Sequence, residues 1–193
     1  MLIYLVRHAR ADGVEGLCYG RRDVPVRASE TDRAARSLRA QIPEDVLSSA
    51  SIYSSPLARC ALLARAIAGS RSVVMTPSLL ELDFGSWQGR SWDEIPRDEL
   101  DAWAADIWRY APGGGESAQA AAQRWRSWVD SLLGQSSDTV IAVTHAGLIR
   151  IAHAVESASD PTVLTMDVAH GSAYRLIARA ACVSVTPSGE VAA

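Results

Sequence analysis

The chain has 193 residues, of which 48% are hydrophobic and 21% are charged, and its formal net charge is −3. This composition is typical of a soluble globular enzyme of one domain, and the net charge argues against nucleic acid or an anionic membrane as the main partner. The three cysteines are too widely spaced, and odd in number, for a disulfide framework or a zinc-binding CxxC pattern.

In chain order, apolar strand patterns alternate with helical patterns. The first apolar run, Leu2–Val6, predicts a buried strand. Because this run is too short for a signal peptide or a membrane span, we expect a cytoplasmic protein without a membrane partner. A glycine-rich loop over 11–28 follows it. The further predicted elements are helices over 29–39, 57–69 and 117–133, a helix opening at 146, and strands over 51–54, 73–75, 139–143, 173–178 and 182–186.

The alternation predicts a three-layer α/β/α fold whose central sheet is mostly parallel. We assign residues 1–193 to a single domain because the composition shows no break along the chain. The polar, tryptophan-rich residues 83–115 are too long for an ordinary connection, and we expect them to form two helices and a cap over the active-site end. Their tryptophans favour stapling of this cap to the core, with stacking on a bound ring as the alternative.

Two of the predicted strands end at histidines. The first strand leads directly into Arg7 and His8, and the strand over 139–143 leads into Thr144 and His145. Open α/β sheets bind their ligands at the carboxyl ends of parallel strands. The two imidazoles and the arginine therefore predict a preformed anion site, with phosphate as the expected ligand. These residues do not decide which histidine acts as a nucleophile.

A third cation and a proton donor follow along the chain. Arg59 lies one helical turn after Ser55, from where it would point back to the same edge of the sheet. Glu81 lies among leucines, and an apolar environment would favour its protonated form, which a departing alkoxide requires as proton donor. Asp83 is the competing choice, because in a strand it shares a face with Glu81.

Five motifs lie in a set order along the chain: RHA at 7–9, SSPLAR at 54–59, LLELDFGSWQG at 79–89, PGGGES at 112–117 and VTHAG at 143–147. In order and spacing this set resembles the histidine phosphatase superfamily, which has the phosphoglycerate-mutase-like fold. The resemblance implies that His8 is the phosphorylated nucleophile and that Glu81 is the general acid. It further implies that Arg7, Arg59 and His145 hold the phosphoryl group, and that neither a metal nor another cofactor is needed.

The sequence departs from the family pattern at the first motif. Ala9 follows the Arg-His pair where relatives usually have glycine, and the chain contains no asparagine to contact the phosphate. Arg10 is a candidate extra cation at the mouth of the pocket, although a solvated surface arginine fits the pattern equally well. His170 is a candidate to approach the pocket from a late strand, and a plain strand-end histidine is the alternative.

The loop LCYGRRDVPV at 17–26 is similar to a stretch in α-ribazole-phosphate phosphatase members of the superfamily. It favours a small soluble phosphate ester, possibly α-ribazole 5′-phosphate from cobalamin assembly, as the substrate. Tyr19, Arg21 and Arg22 are candidates for lining the entrance to the site, and a solvated turn is the competing interpretation.

Three alternative functions fit the sequence less well than a histidine phosphatase. Phosphoglycerate mutase-type phosphoryl transfer is disfavoured by the short chain. A cysteine-based phosphatase is excluded because no cysteine has an arginine six positions later. A non-catalytic phosphate-ligand binding protein would need neither a nucleophile nor a proton donor, so the presence of both His8 and Glu81 argues against it. A homodimer is compatible with the sequence.

Overall fold

A computed structural model of the protein describes residues 1–133, 138–156 and 164–178. The described residues form a central five-stranded sheet, whose strands are β1 (Leu2–Arg7), β2 (Ser51–Ser54), β3 (Val74–Met75), β4 (Thr139–Thr144) and β5 (Ala173–Ile177). The strand order is β3-β2-β4-β1-β5. All neighbouring strands are parallel except β5, which pairs antiparallel with β1 at one edge. The prediction of a mostly parallel sheet is therefore confirmed.

Helices cover both faces of this sheet. They are α1 (Ala28–Gln41), α2 (Glu44–Ser49), α3 (Ala58–Ala68), α4 (Arg97–Ala105), α5 (Ala118–Leu133) and α6 (Ala146–Glu156). Because side chains alternate along a strand, Tyr4 and Val6 pack into one core cluster with α1 and α3. Ile3 and Leu5 pack into a second cluster with α5 and α6 on the opposite face. The three-layer α/β/α architecture is confirmed.

Most predicted elements are found within two residues of their expected bounds. The six-residue helix α2 was not predicted, because so short a helix contributes too few periodic positions to be distinguished from a loop. The predicted strand over 182–186 lies outside the described residues. Among the described helices, none is both long and apolar enough to cross a membrane.

The excursion over 83–115 contains α4 and three short 3₁₀ turns rather than two α-helices. Trp87 is fully buried in an aromatic cluster with Trp92 and Trp103, and the latter two rings stack at 6° with centroids 6.2 Å apart. The same cluster includes Cys18 of the early loop, whose backbone exchanges hydrogen bonds with the excursion at Gly89 and Arg90. The tryptophans of this cluster thus join the excursion to the loop that contains Cys18.

Candidate active site

The ends of β1 and β4 bring the two histidines side by side. Arg7 and Thr144 are paired in register as the last residues of the two strands. His8 and His145 follow immediately, and their ring centroids lie 5.2 Å apart. The exposed fraction is 2% for His8 and 0% for His145. Parallel pairing therefore assembles the expected pair from residues that are far apart in the chain.

The hydrogen bonding of His8 defines its tautomer. Its Nδ1 lies 2.7 Å from the carbonyl oxygen of Ala9, and since a carbonyl only accepts, Nδ1 carries the proton. Burial, and next the positive charge of Arg59, lower the pKa of His8 well below its ordinary value. The ring is therefore neutral at neutral pH. Its Nε2 lone pair has no hydrogen-bond partner within the described part of the chain.

His145 differs because protein groups occupy both of its ring nitrogens. Arg59 donates its Nε–H to Nδ1 at 3.2 Å, so the ring proton resides on Nε2, which donates to the hydroxyl of Ser55 at 2.9 Å. Burial and the charge of Arg59 also lower the pKa of His145 well below its ordinary value. His145 is thus a neutral, oriented hydrogen-bond donor whose lone pair is already engaged.

Arg59 forms the floor of the site and is fully buried. Its two terminal nitrogens donate to the carbonyl oxygens of Arg22 at 2.8 Å and Gly20 at 2.6 Å. Its Cζ lies 5.1 Å from the centroid of the Tyr19 ring. Among the described residues no carboxylate pairs with this guanidinium, and three of its five N–H donors are engaged. A buried positive charge without an ion-pair partner favours the binding of an anion.

Arg7 offers a second incompletely satisfied guanidinium. One terminal nitrogen donates to the carbonyl oxygen of Val168, whereas Nε is buried without a hydrogen-bond partner in the described residues. A buried donor without an acceptor costs about 1–3 kcal/mol. An anionic ligand that accepts a hydrogen bond from this group would remove that cost.

The structure distinguishes between the two candidate carboxylates. Glu81 accepts backbone N–H bonds from Gly147 and Leu148, both at 3.2 Å, in the first turn of α6 directly after His145. Asp83 instead accepts from the backbone of Gly85 and the side chain of Gln88, within the excursion. Glu81 is therefore the carboxylate held beside the histidine pair.

The environment of the Glu81 carboxylate is not the apolar one expected from its neighbours in the sequence. Leu79 and Leu82 are buried in core clusters, while the Glu81 side chain is half-buried and bonded to amides at a helix N-terminus. These donors fix the position of the carboxylate at the start of α6. The leucines beside Glu81 pack into the core while its carboxylate lies at the N-terminus of α6, so the apolar surroundings expected from the sequence do not enclose the carboxylate.

Three of the predicted pocket residues line one cavity of about 310 Å³, namely Arg10, Tyr19 and His170. The His170 ring lies 5.1 Å from the His8 ring, and its Nδ1 donates to the His8 carbonyl oxygen at 3.2 Å. Burial, followed by the charge of Arg7, lowers the pKa of His170 to about 4. Arg10 is exposed and forms a 3.1 Å ion pair with Glu15, which also lines this cavity. The cavity therefore reaches His170, whose ring packs against that of His8.

Arg21 and Arg22, the other two residues predicted at the entrance, are not among the residues that line this cavity. Arg21 donates to the Glu81 carbonyl oxygen at 3.0 Å and to the Glu116 carboxylate at 2.9 Å. Arg22 is exposed, and its guanidinium donates to the Gln88 carbonyl oxygen at 3.3 Å. Both guanidinium groups are therefore hydrogen-bonded to acceptors of the protein itself.

Sequence reasoning missed three residues of this region. Ser55 and Glu116 lie within the SSPLAR and PGGGES motifs, so the motifs contained a signal that was not assigned to a contact. Arg124 lies in α5 without any local signal, and only the packing of α5 against the segment over 78–81 reveals its contacts.

Comparison with known proteins identifies the family. The model of the histidine phosphatase superfamily (branch 1) matches residues 3–181. The adenosylcobalamin/alpha-ribazole phosphatase of Escherichia coli K12 is 27% identical over 161 residues, covering 78% of this chain and 76% of that protein. A bifunctional protein of Mycobacterium tuberculosis is 31% identical over 144 residues, covering 70% of this chain but only 36% of that protein.

Solved structures share the fold over nearly the whole chain. The alpha-ribazole phosphatase from Shigella flexneri superposes with a TM-score of 0.76 at 27% identity, covering 91% of this chain and 89% of that chain. A mycobacterial glucosyl-3-phosphoglycerate phosphatase has a TM-score of 0.78 at 24% identity, covering 91% and 92% of the respective chains. These likenesses show the fold, and the match of the family model over residues 3–181 shows that the chain belongs to branch 1 of the histidine phosphatase superfamily.

Proposed function

We propose that the protein is a phosphomonoesterase in which Nε2 of His8 attacks the phosphorus atom of a small phosphate ester. The P–O bond to the alcohol breaks as the N–P bond forms, and water then cleaves the phosphohistidine to release phosphate. The observation that carries this proposal is the tautomer of His8. Its proton is held on Nδ1 by Ala9, while His145 has no free lone pair to offer.

Positive and hydrogen-bonding groups around His8 would stabilise the transferring phosphoryl group. Arg59 keeps two N–H donors without partners in the described residues, and Arg7 has a buried Nε–H without an acceptor there, while His145 orients Arg59 by accepting its Nε–H. Charge on the phosphoryl oxygens develops among these fixed donors, which need no reorganisation at the moment of transfer.

Glu81 is the proposed proton donor to the departing alcohol. Its carboxyl group would give a proton to the leaving oxygen as the P–O bond breaks. In the second step the resulting carboxylate takes a proton from the attacking water. The amides of Gly147 and Leu148 hold the carboxylate in place through both steps.

For the natural substrate we propose α-ribazole 5′-phosphate. The proposal is supported by the likeness to the alpha-ribazole phosphatases of E. coli and S. flexneri, both 27% identical to this chain. It is also supported by the cavity of about 310 Å³ that is lined by His170, the ring neighbour of His8, and whose volume is at the lower end of the range of about 300–1,000 Å³ for small-molecule sites.

Trapping of the intermediate tests the proposed chemistry. A labelled ester is mixed with the protein, the reaction is stopped in alkali, and the position of the acid-labile phosphoryl group is determined by mass spectrometry. We expect label on His8, no label in His8→Gln, and normal labelling in His153→Gln, whose ring packs against Tyr174 instead. Label on His145 would refute the assignment, and ester binding without any label would favour a binding protein.

A substrate panel tests the proposed specificity. Phosphate release from α-ribazole 5′-phosphate, 3-phosphoglycerate, simple sugar phosphates and p-nitrophenyl phosphate is compared as kcat/KM with EDTA present. A large preference for α-ribazole 5′-phosphate is expected. Similar weak activity on all esters would contradict the substrate assignment, and conversion of 3-phosphoglycerate to its isomer without phosphate release would indicate a mutase.

A further inference from the structure

The backbone that carries Glu81 is held by side chains at four consecutive carbonyl groups. Arg124 donates to the carbonyl oxygens of Ser78 at 2.7 Å and Leu80 at 3.0 Å. The hydroxyl of Thr144 donates to Leu79 at 2.7 Å, and Arg21 donates to Glu81 itself at 3.0 Å. Neither a helix nor a strand supplies these hydrogen bonds, so the position of the segment over 78–81 depends on the side chains.

A single carboxylate joins the two arginines. Oε2 of Glu116 accepts from Arg21 at 2.9 Å and from Arg124 at 2.7 Å, and its Oε1 accepts from Nε of Arg124 at 3.0 Å. The exposed side-chain fractions are 14% for Glu116, 18% for Arg124 and 29% for Arg21. Bidentate pairing of this kind fixes the orientation of a guanidinium as well as neutralising it.

The glycine run before Glu116 explains how this carboxylate reaches its position. The backbone N–H of Glu116 donates to the Asp83 carbonyl oxygen at 2.7 Å. A Cβ atom at Gly115 would lie 2.1 Å from that same oxygen. The absence of a side chain at Gly115 therefore lets this backbone pack directly against that of Asp83, two residues after Glu81.

We propose that Glu116 is a positioning residue for Glu81, acting through Arg21 and Arg124. This inference rests on the proposed role of Glu81 as proton donor. Without the Glu116 charge, two half-buried guanidinium groups repel each other and release the carbonyl oxygens of the segment over 78–81. The Glu81 carboxylate then loses its alignment with the leaving oxygen, although the donors to the phosphoryl group stay in place.

The test compares esters with poor and good leaving groups in Glu116→Gln. The measured quantity is kcat/KM, which reports the steps up to alcohol release and is independent of phosphohistidine hydrolysis. For phenyl phosphate we expect a loss of about 10-fold to 100-fold, since a misplacement of about 1 Å costs about that much. For p-nitrophenyl phosphate, whose leaving group needs no proton, we expect little change.

Two variants control for general effects of the substitution. Glu99→Gln is a matched change in a half-buried glutamate of the excursion, which accepts from Trp87 rather than from these arginines, and it should leave both rates unchanged. Glu116→Asp keeps the charge and should recover part of the loss. If Glu116→Gln does not fold, Arg124→Lys replaces it, because one ammonium cannot reach Glu116 and two carbonyl oxygens together.

The outcome separates this inference from the proposed function. An equal loss for both esters in Glu116→Gln, together with a selective loss in Glu81→Gln, would overturn the positioning role alone. If Glu81→Gln itself lost activity equally on both esters, the proton-donor role of Glu81 would be wrong, and the inference would be refuted with it.

Discussion

Replacement of Gly147 by alanine tests the position of Glu81 with the smallest possible change. A Cβ atom at this position would lie 2.4 Å from Oε1 of Glu81, whereas ordinary contacts begin near 3.4 Å. The carboxylate must therefore move by about 1 Å. The backbone of Gly147 is not in the left-handed region, and alanine favours a helix over glycine by about 1 kcal/mol, so the fold should tolerate the substitution.

We expect Gly147→Ala to lower kcat/KM for phenyl phosphate by about 100-fold, the cost of a displacement of about 1 Å in a catalytic group. This corresponds to about 2.7 kcal/mol of transition-state stabilisation. The loss should be small for p-nitrophenyl phosphate. Urea unfolding should show a free energy of unfolding within about 1 kcal/mol of that of the parent protein.

The double variant Gly147→Ala/Glu81→Gln provides the decisive comparison. If alanine acts only by displacing Glu81, the double variant is no slower than Glu81→Gln alone, because the two changes affect one interaction. If the two losses multiply, or if Gly147→Ala slows both esters equally, the alanine acts through another group and the reasoning from the 2.4 Å contact is refuted.

Further predictions concern the two histidines. Burial lowers the pKa of His8 well below its ordinary value, so the unfolded chain binds a proton below about pH 6.5 that the folded chain does not. This buried ring therefore lowers the free energy of unfolding as the pH falls below about 6.5, and His8→Gln should reduce this pH dependence in urea titrations. If the free energy of unfolding has the same pH dependence in His8→Gln as in the parent protein, the His8 ring is not buried in its neutral form. Ser55→Ala removes the acceptor of the His145 Nε2–H, and we expect kcat/KM to fall about 10-fold for all esters alike. Nitrogen NMR should still show the Nε2–H tautomer of His145, because Arg59 donates to Nδ1. A change of tautomer would show that Ser55, rather than Arg59, fixes the position of the ring proton.

Much of the fold could be predicted because its signals are local. The runs Leu2–Val6 and Thr139–Val143 are apolar on both faces, which is the pattern of strands buried between two helical layers. Each run ends at a histidine, and the rule that parallel strands present their carboxyl ends at one edge was enough to predict a shared site. The excursion was recognised by its length, although its 3₁₀ turns carry too few residues to be predicted.

The sequence by itself determined the layer architecture, the pairing of two strand-end histidines and the identity of the nearby arginines, because periodicity and strand ends are properties of short segments. Only the tertiary structure decided which histidine keeps a free lone pair, that Glu81 rather than Asp83 lies beside the pair, and that Arg21 turns to Glu116. These outcomes depend on which acceptor lies within about 3 Å of a given donor, and such distances join residues from different parts of the chain.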